Sequence, residues 1–524
     1  MPAGNRLDRE TVSRPEKVQT SDRCFGARES GELLKEEQQM RISEEIHASC
    51  RPRLNWNGIP WNTVEKKVKE LQMRIAQAVR EKKHRLVKSL QWLLTHSFYA
   101  KLLAIRRVVT NKGKNTPGVD GALWDTPRKK IRAVVLLSRR GYQPQPLRRV
   151  YIKKRNGKLR PLGIPTMRDR AMQALYALAL APVAETTADL HSYGFRAYRA
   201  CADALAQCWN CLSGPYAARW ILEADIQACF DSISHEWMIQ HILIDRKILQ
   251  AWLQAGYIDR GKLYATQAGT PQGGIISPLL ANMTLDGLES AIKTVVPAGS
   301  KVNVIRYADD FIVTGKSKEV LQSNVIPALR RFLADRGLNL SGEKTRITRI
   351  EEGFDFLGHH VRKYGDKYLT TPSTGAIKVL LAKTRMVIKA CAGASAWTLI
   401  QRLNPILRGW ANFYRHACSK KTFAYVDSRI FRQVWNWAAK RHASKGMRWI
   451  KQRYFRSVGT RAWSFSASQQ TQKGESIIMD LLHMDAVKIK RHMLIRSTAN
   501  PYDKDWQDYF ASRQHMPHPA TVLI

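Results

Sequence analysis

The spacing of apolar residues changes several times along the chain, and each change marks an element. Val64, Val68, Leu71 and Ile75 recur at helical spacing behind Asn62-Thr-Val-Glu65, which has the form of a capping box. Leu90, Leu93, Leu94, Leu102 and Leu103 predict one helical stretch over 86–109. Ala, Leu and Met crowd 168–184, as in a buried helix, and 200–209 follows as another. Period two then takes over at 219–226, an apolar strand with Ile221, Glu223 and Asp225 on one face. Helical patterns return over 234–244, 279–292 and 324–336. Two short apolar runs, 302–305 and 311–313, flank Tyr307-Ala308-Asp309-Asp310, which predicts a β-hairpin with two carboxylates at or near its turn. Phe354-Asp-Phe-Leu-Gly358 begins a further hairpin. Leu403, Leu407, Trp410 and Tyr414 place a helical domain over 376–463, with a small helical piece from about Ser466.

Breakers separate these patterns. Residues 111–121 carry three glycines and a proline, and serve either as a phosphate-contacting loop or as ordinary surface. Asn156-Gly157 predicts a hairpin over 152–165 that carries Lys154, Lys158 and Arg160, either as a clamp for a triphosphate or as a solvated basic arm. Residues 269–278 hold three glycines and two prolines around Gln272, a backbone suited to close approach. Residues 1–52 are polar and poor in aromatics, a mostly disordered leader with a helix around 32–46, and order begins near Trp56 and Trp61.

Composition sharpens this picture at one point, charge. The 524 residues carry 86 Lys+Arg against 43 Asp+Glu, a net +43, which implies a polyanionic partner, most simply nucleic acid. Between 376 and 463 there are 19 Lys+Arg, six tryptophans and one acidic residue, Asp427, a pattern suited to phosphate contact and base stacking. Most of those tryptophans are expected in the core. Lys488, Lys490, Arg491 and His492 form a later basic cluster. No apolar run is long enough to span a membrane, and the N-terminus lacks a signal-peptide core. Eight scattered cysteines fit reduced thiols in a cytosolic setting, and Cys208-Trp-Asn-Cys211 lacks a second pair at zinc spacing.

The carboxylates carry the chemistry. Adjacent Asp309 and Asp310 repel each other, and hard divalent cations relieve that repulsion through oxygen ligands. If the strand of Asp225 pairs with the hairpin, the three carboxylates converge. That site would serve two-metal transfer of a nucleotide to a primer 3′-hydroxyl.

These residues resemble the reverse transcriptases encoded by bacterial group II introns, which also act as maturases. The resemblance covers 56–513 and rests on an ordered set of blocks: Gly118-Val-Asp-Gly121, Arg160-Pro-Leu-Gly-Ile-Pro165, 192–196, 225–230, Pro271-Gln-Gly273, 307–310, 337–344 and Phe356-Leu-Gly358. Residues 403–414, 435–440 and Tyr454-Phe455 resemble the family's thumb and maturase domain, and Arg491-His492, Asn500-Pro-Tyr-Asp503 and Tyr509-Phe510 its DNA-binding segment. The resemblance implies an α/β (α+β) right-hand polymerase fold: fingers and palm with an antiparallel sheet, an all-helical thumb/maturase domain and a small helical C-terminal segment. The expected domains are a leader 1–52, an N-terminal extension of the fingers 53–125, fingers and palm 126–370, thumb/maturase 371–465 and a DNA-binding segment 466–524. No cysteine follows Cys418, so the paired-cysteine HNH endonuclease that often ends the family is expected to be missing.

The resemblance also assigns roles. Asp225, Ile226, Asp309 and Asp310 form the site for two Mg²⁺. Phe230 excludes a ribose 2′-hydroxyl, Gln272 touches the incoming nucleotide, and Lys154 and Arg160 hold its phosphates. Tyr307, Pro271 and Gly273 lie along primer and template. Lys344 is a general acid toward pyrophosphate. The implied activity is RNA-directed DNA synthesis, coupled to binding of the parent intron RNA, splicing and target-primed insertion into DNA. The partners are intron RNA, target DNA and dNTPs, within a cytoplasmic, nucleoid-associated bacterial ribonucleoprotein. Two other readings stay open: an RNA-binding maturase with a vestigial polymerase, and a host-adapted reverse transcriptase in repair or phage defence.

Overall fold

The computed structural model describes residues 55–153, 157, 159–470 and 474–515. The expected leader and its helix around 32–46 lie outside the described residues, as do Lys154 and Lys158. The described chain is a mixed α/β architecture with four sheets.

Helices α1 (Trp61–Arg80), α2 (His84–His96), α3 (Phe98–Thr110) and α4 (Pro127–Leu136) open the described chain. The expected capping box is not formed: α1 begins at Trp61 behind Pro60, with no side-chain cap, so Asn62 lies inside the helix. The single stretch expected over 86–109 is two helices, because buried Ser97 has extended backbone (φ −61°, ψ 131°) and ends one while starting the other. α1, α2 and α3 pack around α5 (Met167–Thr187), which is buried on nearly every side.

Strands β1 (Leu147–Lys153) and β2 (Leu159–Ile164) form the basic hairpin, though not with the expected two-residue turn. A two-residue turn at Asn156-Gly157 would set Lys153 opposite Arg160; in the structure Lys153 faces Leu159 and Arg160 faces Ile152. An odd number of residues therefore separates the strands, and Gly157 takes φ +81°. β1 also runs parallel to β4 (Tyr257–Asp259), which pairs with β5 (Lys262–Tyr264).

The sheet that organises the molecule has the order β6-β7-β3-β8, all antiparallel. It consists of β3 (Trp220–Asp225), β6 (Val304–Tyr307), β7 (Asp310–Gly315) and β8 (Arg346–Arg349). One face meets the core that includes Leu222, Phe311 and Val313. The other meets a second core, with Ile221, Ile305 and Ile312 against α6 (Cys201–Leu212). Between β3 and β6 lie α7 (Cys229–Ser232), α8 (His235–His241), α9 (Arg246–Leu253), α10 (Ser277–Leu285) and α11 (Leu288–Lys293). The helix expected over 279–292 is thus broken, at Asp286-Gly287, where Gly287 has φ +91°. After β7 the chain passes through a π-helical turn, Leu321–Val325, into α12 (Ile326–Ala334).

A three-stranded sheet follows, β9 (Phe354–Phe356), β10 (His359–Tyr364) and β11 (Lys367–Pro372). The basic region is then α13 (Thr374–Ala390), α14 (Ala396–Tyr414), α15 (Lys420–Arg441) and α16 (Met447–Tyr454). It is not all helix. β12 (Phe455–Val458), β13 (Arg461–Gln470) and β14 (Ser476–Asp480) form an antiparallel sheet packed on those helices through Phe455 and Phe465. β13 is one continuous strand across the expected 465/466 boundary. Nor is the last segment mainly helical: it is largely irregular up to α17 (Gln507–His515). Of the six tryptophans, Trp437 is buried and Trp410, Trp435 and Trp449 are partly buried against the same core.

The last segment is built into the molecule rather than hung from it. Ile495, Ala499 and Phe510 share the core of α6 and β6. Fully buried Asp203 on α6 accepts from the Ile495 amide (2.8 Å) and from Arg513 (3.0 Å), and pairs with His492 (2.8 Å). His492 is therefore a buried anchor rather than part of the exposed basic cluster. Arg80 on α1 reaches Asp503.

Candidate active site

The strand pairing expected of the three carboxylates is formed, and it brings them to one end of the central sheet. Asp225, the last residue of β3, lies directly across the ladder from Asp310, the first residue of β7. Asp309 and Ala308 form the two-residue connection between Tyr307 and Asp310. Ala308 takes φ +59°, the left-handed region that costs a residue with a Cβ about 1–2 kcal/mol. Gly194 explains how the turn is held. Its segment lies alongside β6, with the Tyr193 amide bonded to the Arg306 carbonyl (2.9 Å), and a Cβ on Gly194 would fall 2.8 Å from the Tyr307 carbonyl carbon.

Beneath the hairpin sits Arg306, 1% exposed. It pairs with Asp286 and donates to Asn282 (3.2 Å), whose amide in turn donates to the Gly194 carbonyl (2.7 Å). Burial holds the Asp286 carboxyl up at about 6, with Arg306 opposing it. Arg306, Asp286, Asn282 and Gly194 were not legible as site residues. The available signal was the charge of Arg306 inside an otherwise apolar strand, which demands a buried partner.

The electrostatics above the hairpin suit a cation. Asp310 is exposed, yet the protein around its carboxyl, followed by the charges of Asp309 and Asp225, raises it to about 6. Asp309 is raised too, first by burial and then by Asp225, while Arg160 and Lys344 oppose the shift. Lys344 donates to Asp225 at 2.6 Å from an exposed position, and that bond raises the lysine above its usual range. Asp225 is fixed from behind as well: its carbonyl accepts from the Ser341 amide (2.8 Å), and buried Ile226 bridges Leu340.

The other expected residues lie on two loops that touch. Phe230, half-buried on α7, meets Phe195 edge to face with ring centres 6.3 Å apart. The Phe230 carbonyl accepts from the Thr270 amide (2.7 Å), which ties the 269–274 loop to that helix. Gln272 donates to exposed Asp231 (3.1 Å) and accepts through its carbonyl from the Gly163 amide of β2 (2.8 Å). Gly273, at φ +121°, passes so close to β2 that a Cβ would lie 2.5 Å from the Gly163 carbonyl oxygen. Pro271 packs at the same crossing. The hairpin that carries Arg160 and the loop that carries Gln272 are therefore one unit. Tyr307 is partly buried and bonded to Cys201, a partner with no signal in the sequence. Cys208 and Cys211 are free thiols on α6, both raised by burial.

A second group, Asp427, His483 and Asp485, places its donor atoms within 4.8 Å of one another and has the composition to hold a metal ion. Arg461 already supplies positive charge there, bonding both His483 and Asp485. It belongs to the α15 region and shares no residue with the Asp225 site.

Comparison with known proteins places this geometry. Residues 152–361 match the family model for reverse transcriptase (RNA-dependent DNA polymerase), 56–137 that for the N-terminal domain of reverse transcriptase, and 377–455 the group II intron maturase-specific domain. The chain belongs to the group II intron-encoded reverse transcriptase/maturase family. Protein YkfC of Escherichia coli K12 is 32% identical over 330 residues, which span 54% of this chain and 84% of that protein. The group II intron-encoded protein LtrA of Lactococcus lactis is 32% identical over 341 residues, 52% of this chain and 56% of LtrA, so the match spans little more than half of LtrA's length. Among solved structures, telomerase from Candida albicans aligns with a TM-score of 0.34 at 12% identity over 59% of this chain and 64% of that one. Among the described residues no helix is long and apolar enough to cross a membrane.

Proposed function

We propose that this protein synthesises DNA on an RNA template at the Asp225–Asp309–Asp310 site, within a right-hand arrangement of fingers, palm and thumb, and that its basic α13–α16 region binds the parent intron RNA. The observation that carries the reading is the cross-strand pairing of Asp225 with Asp310, with Asp309 in the turn between. The donor set fits hard divalent cations: three carboxylates, two of them raised by burial and then by one another's charge, with a lysine now supplying the positive charge. Asp225, Asp309 and Asp310, with Ile226 beside them, would hold two Mg²⁺. Bound there, the ions supply Lewis-acid activation of a primer 3′-hydroxyl and neutralise charge on the leaving pyrophosphate.

The chain's own residues do the rest. Arg160 holds the triphosphate from the β1–β2 hairpin, and Gln272, fixed to the same hairpin, bounds the nucleotide pocket. Phe230, propped by Phe195, excludes a 2′-hydroxyl. Tyr307 supports the primer end. Lys344 donates a proton to pyrophosphate once a nucleotide complex draws it from Asp225. With target DNA, the ribonucleoprotein inserts the intron by reverse splicing and copies it, in a bacterial cytoplasm near the nucleoid.

Primer extension on an RNA template tests the reading. Asp309→Asn is expected to cut extension by about 10²–10³-fold, the cost of removing one group that stabilises developing charge, while binding of intron RNA is retained. An inactive wild type that still binds intron RNA removes the polymerase claim and leaves an RNA-binding maturase.

A further inference from the structure

The α15–α16–β13 face carries an aromatic pocket that the polymerase site does not use. Phe431 and Trp435 stand one turn apart on α15, rings stacked at 26° with centres 6.2 Å apart. Trp463 on β13 closes the side, 5.8 Å from Trp435 and 6.3 Å from Phe431. Buried Phe455 touches all three and sets them in place. The open pocket they line with Asn436 and Met447 measures about 460 Å³, within the range of small-ligand sites.

Its rim is cationic. Arg432, Arg448 and Lys451 line it, and Lys451 lies 4.6 Å from the centre of the Trp463 ring. Neither the Arg432 nor the Arg448 guanidinium has an ion pair or hydrogen bond among the described residues. The single acidic side chain in 376–463, Asp427, is turned to the Met484 and Asp485 amides instead. Trp463 is 42% exposed and Met447, also on the lining, 74%, so this is no sealed core packing. Flat aromatic walls with unneutralised cations at the mouth match a base and its phosphates, because each base offers a π-face and each phosphate a charge.

We propose that this pocket captures a single unpaired nucleotide of RNA, its base against Trp435 and Trp463 and its flanking phosphates on Arg432, Arg448 and Lys451. The assignment to RNA rests on the reading of this region as the intron-binding part, since Phe431, Trp435 and both arginines fall within the matched maturase-specific segment. Capture of one looped-out base would let the protein read a folded RNA by where its helices are interrupted rather than by sequence.

The test uses the full chain with its polymerase cleft filled by an RNA/DNA primer–template duplex. The probe is a 12-nucleotide single-stranded RNA bearing one 4-thiouridine, photocrosslinked and mapped by mass spectrometry. Crosslinks are expected in peptides carrying 431–451 and Trp463. Trp463→Ala should lower their yield and the probe's affinity by roughly 5- to 100-fold, the loss expected for one stacked base, and Trp463→Tyr should restore most of both. Primer extension by Trp463→Ala should match the wild type. If Trp463→Ala melts early, Arg432→Gln and Arg448→Gln, which remove charge from the rim alone, carry the same comparison. No crosslink in these peptides from a protein that extends primers overturns the pocket and spares the polymerase. Equal crosslinking of fully duplex RNA overturns base capture, and equal crosslinking of single-stranded DNA with 4-thiothymidine overturns the choice of RNA. A wild type that crosslinks here but extends nothing overturns the polymerase and keeps the pocket.

Discussion

Gly194 and Ala308 meet backbone to backbone, and that meeting sets where Asp309 points. A methyl group on Gly194 has nowhere to go except into the turn. Gly194→Ala is therefore expected to lower primer extension at least about 100-fold, since small misplacement of reacting groups costs that much. A melting temperature within a few degrees of wild type would show that the loss is one of positioning. Ala308→Gly should keep activity, because glycine reaches a positive φ without a steric cost. The aspartates were legible in the sequence because two like charges between apolar strands have no local means of support. Gly194 was not, because its constraint comes from a segment far along the chain. Phe230 stands between these cases: the sequence placed it near the site, and the edge-to-face contact with Phe195 shows how it is propped. Phe230→Val is expected to raise ribonucleotide incorporation in a misincorporation assay while dNTP use continues.

Among elements, β6 depends on a charge inside its core. Removing one partner of a buried ion pair costs about 3–5 kcal/mol, and replacing both with apolar groups is often neutral. Arg306→Met should thus lower stability by about that amount in chemical denaturation, and Arg306→Met with Asp286→Leu should recover most of it. Helices such as α1 and α14, β3 and the Asp309–Asp310 hairpin were readable because period and burial agree in them, whereas α4 and α9 were not read. Other elements resisted for identifiable reasons. Ser97 ends α2 with backbone geometry that leaves the hydrophobic period almost unbroken. β13 was hidden by serines: Ser464 and Ser466 are buried on the face opposite Phe465, against His483 and Asp480, so three successive residues are buried and the polar-apolar alternation is lost. The β1–β2 register turned on one residue, which no composition reveals.

Across the whole molecule, α14, the β9–β11 sheet and the last segment meet at histidines. His359 on β10 lies 5.1 Å, centre to centre, from His416, which lies 6.3 Å from His492. Burial and neighbouring positive charge lower His359 to about 3 and His416 to about 4. Both stay neutral in the fold, while in the unfolded chain they take protons below about 6.5. Stability from this source is complete above pH 6.5 and is lost as pH falls toward 4, by on the order of 1 kcal/mol per pH unit for each histidine. Asp286 and Asp310, raised to about 6, run in the opposite sense, so the test is the difference between wild type and His416→Phe in thermal melts from pH 7 to 4.5: wild type should lose more stability than the variant as pH falls. Asp203 faces His416 and is itself a carboxylate held low by His492 and Arg513, so it does not reverse that sign in this window.

The tie between Arg80 and Asp503 spans 423 residues of chain. At about 5–20 residues per second of synthesis, the first partner waits roughly 20 to 85 seconds for the second. For the later part of that interval Asp203 lacks His492, Ile495 and Arg513, and the core shared by α6 and β6 lacks Ile495, Ala499 and Phe510. The helices of 374–454, with their aromatic pocket and free arginines, emerge before the last segment arrives. The order of birth therefore runs from the central sheet, through the aromatic pocket, to the segment that closes the core behind β6, and a ribosome that stalls short of Arg513 leaves a protein able to display the pocket without that closure.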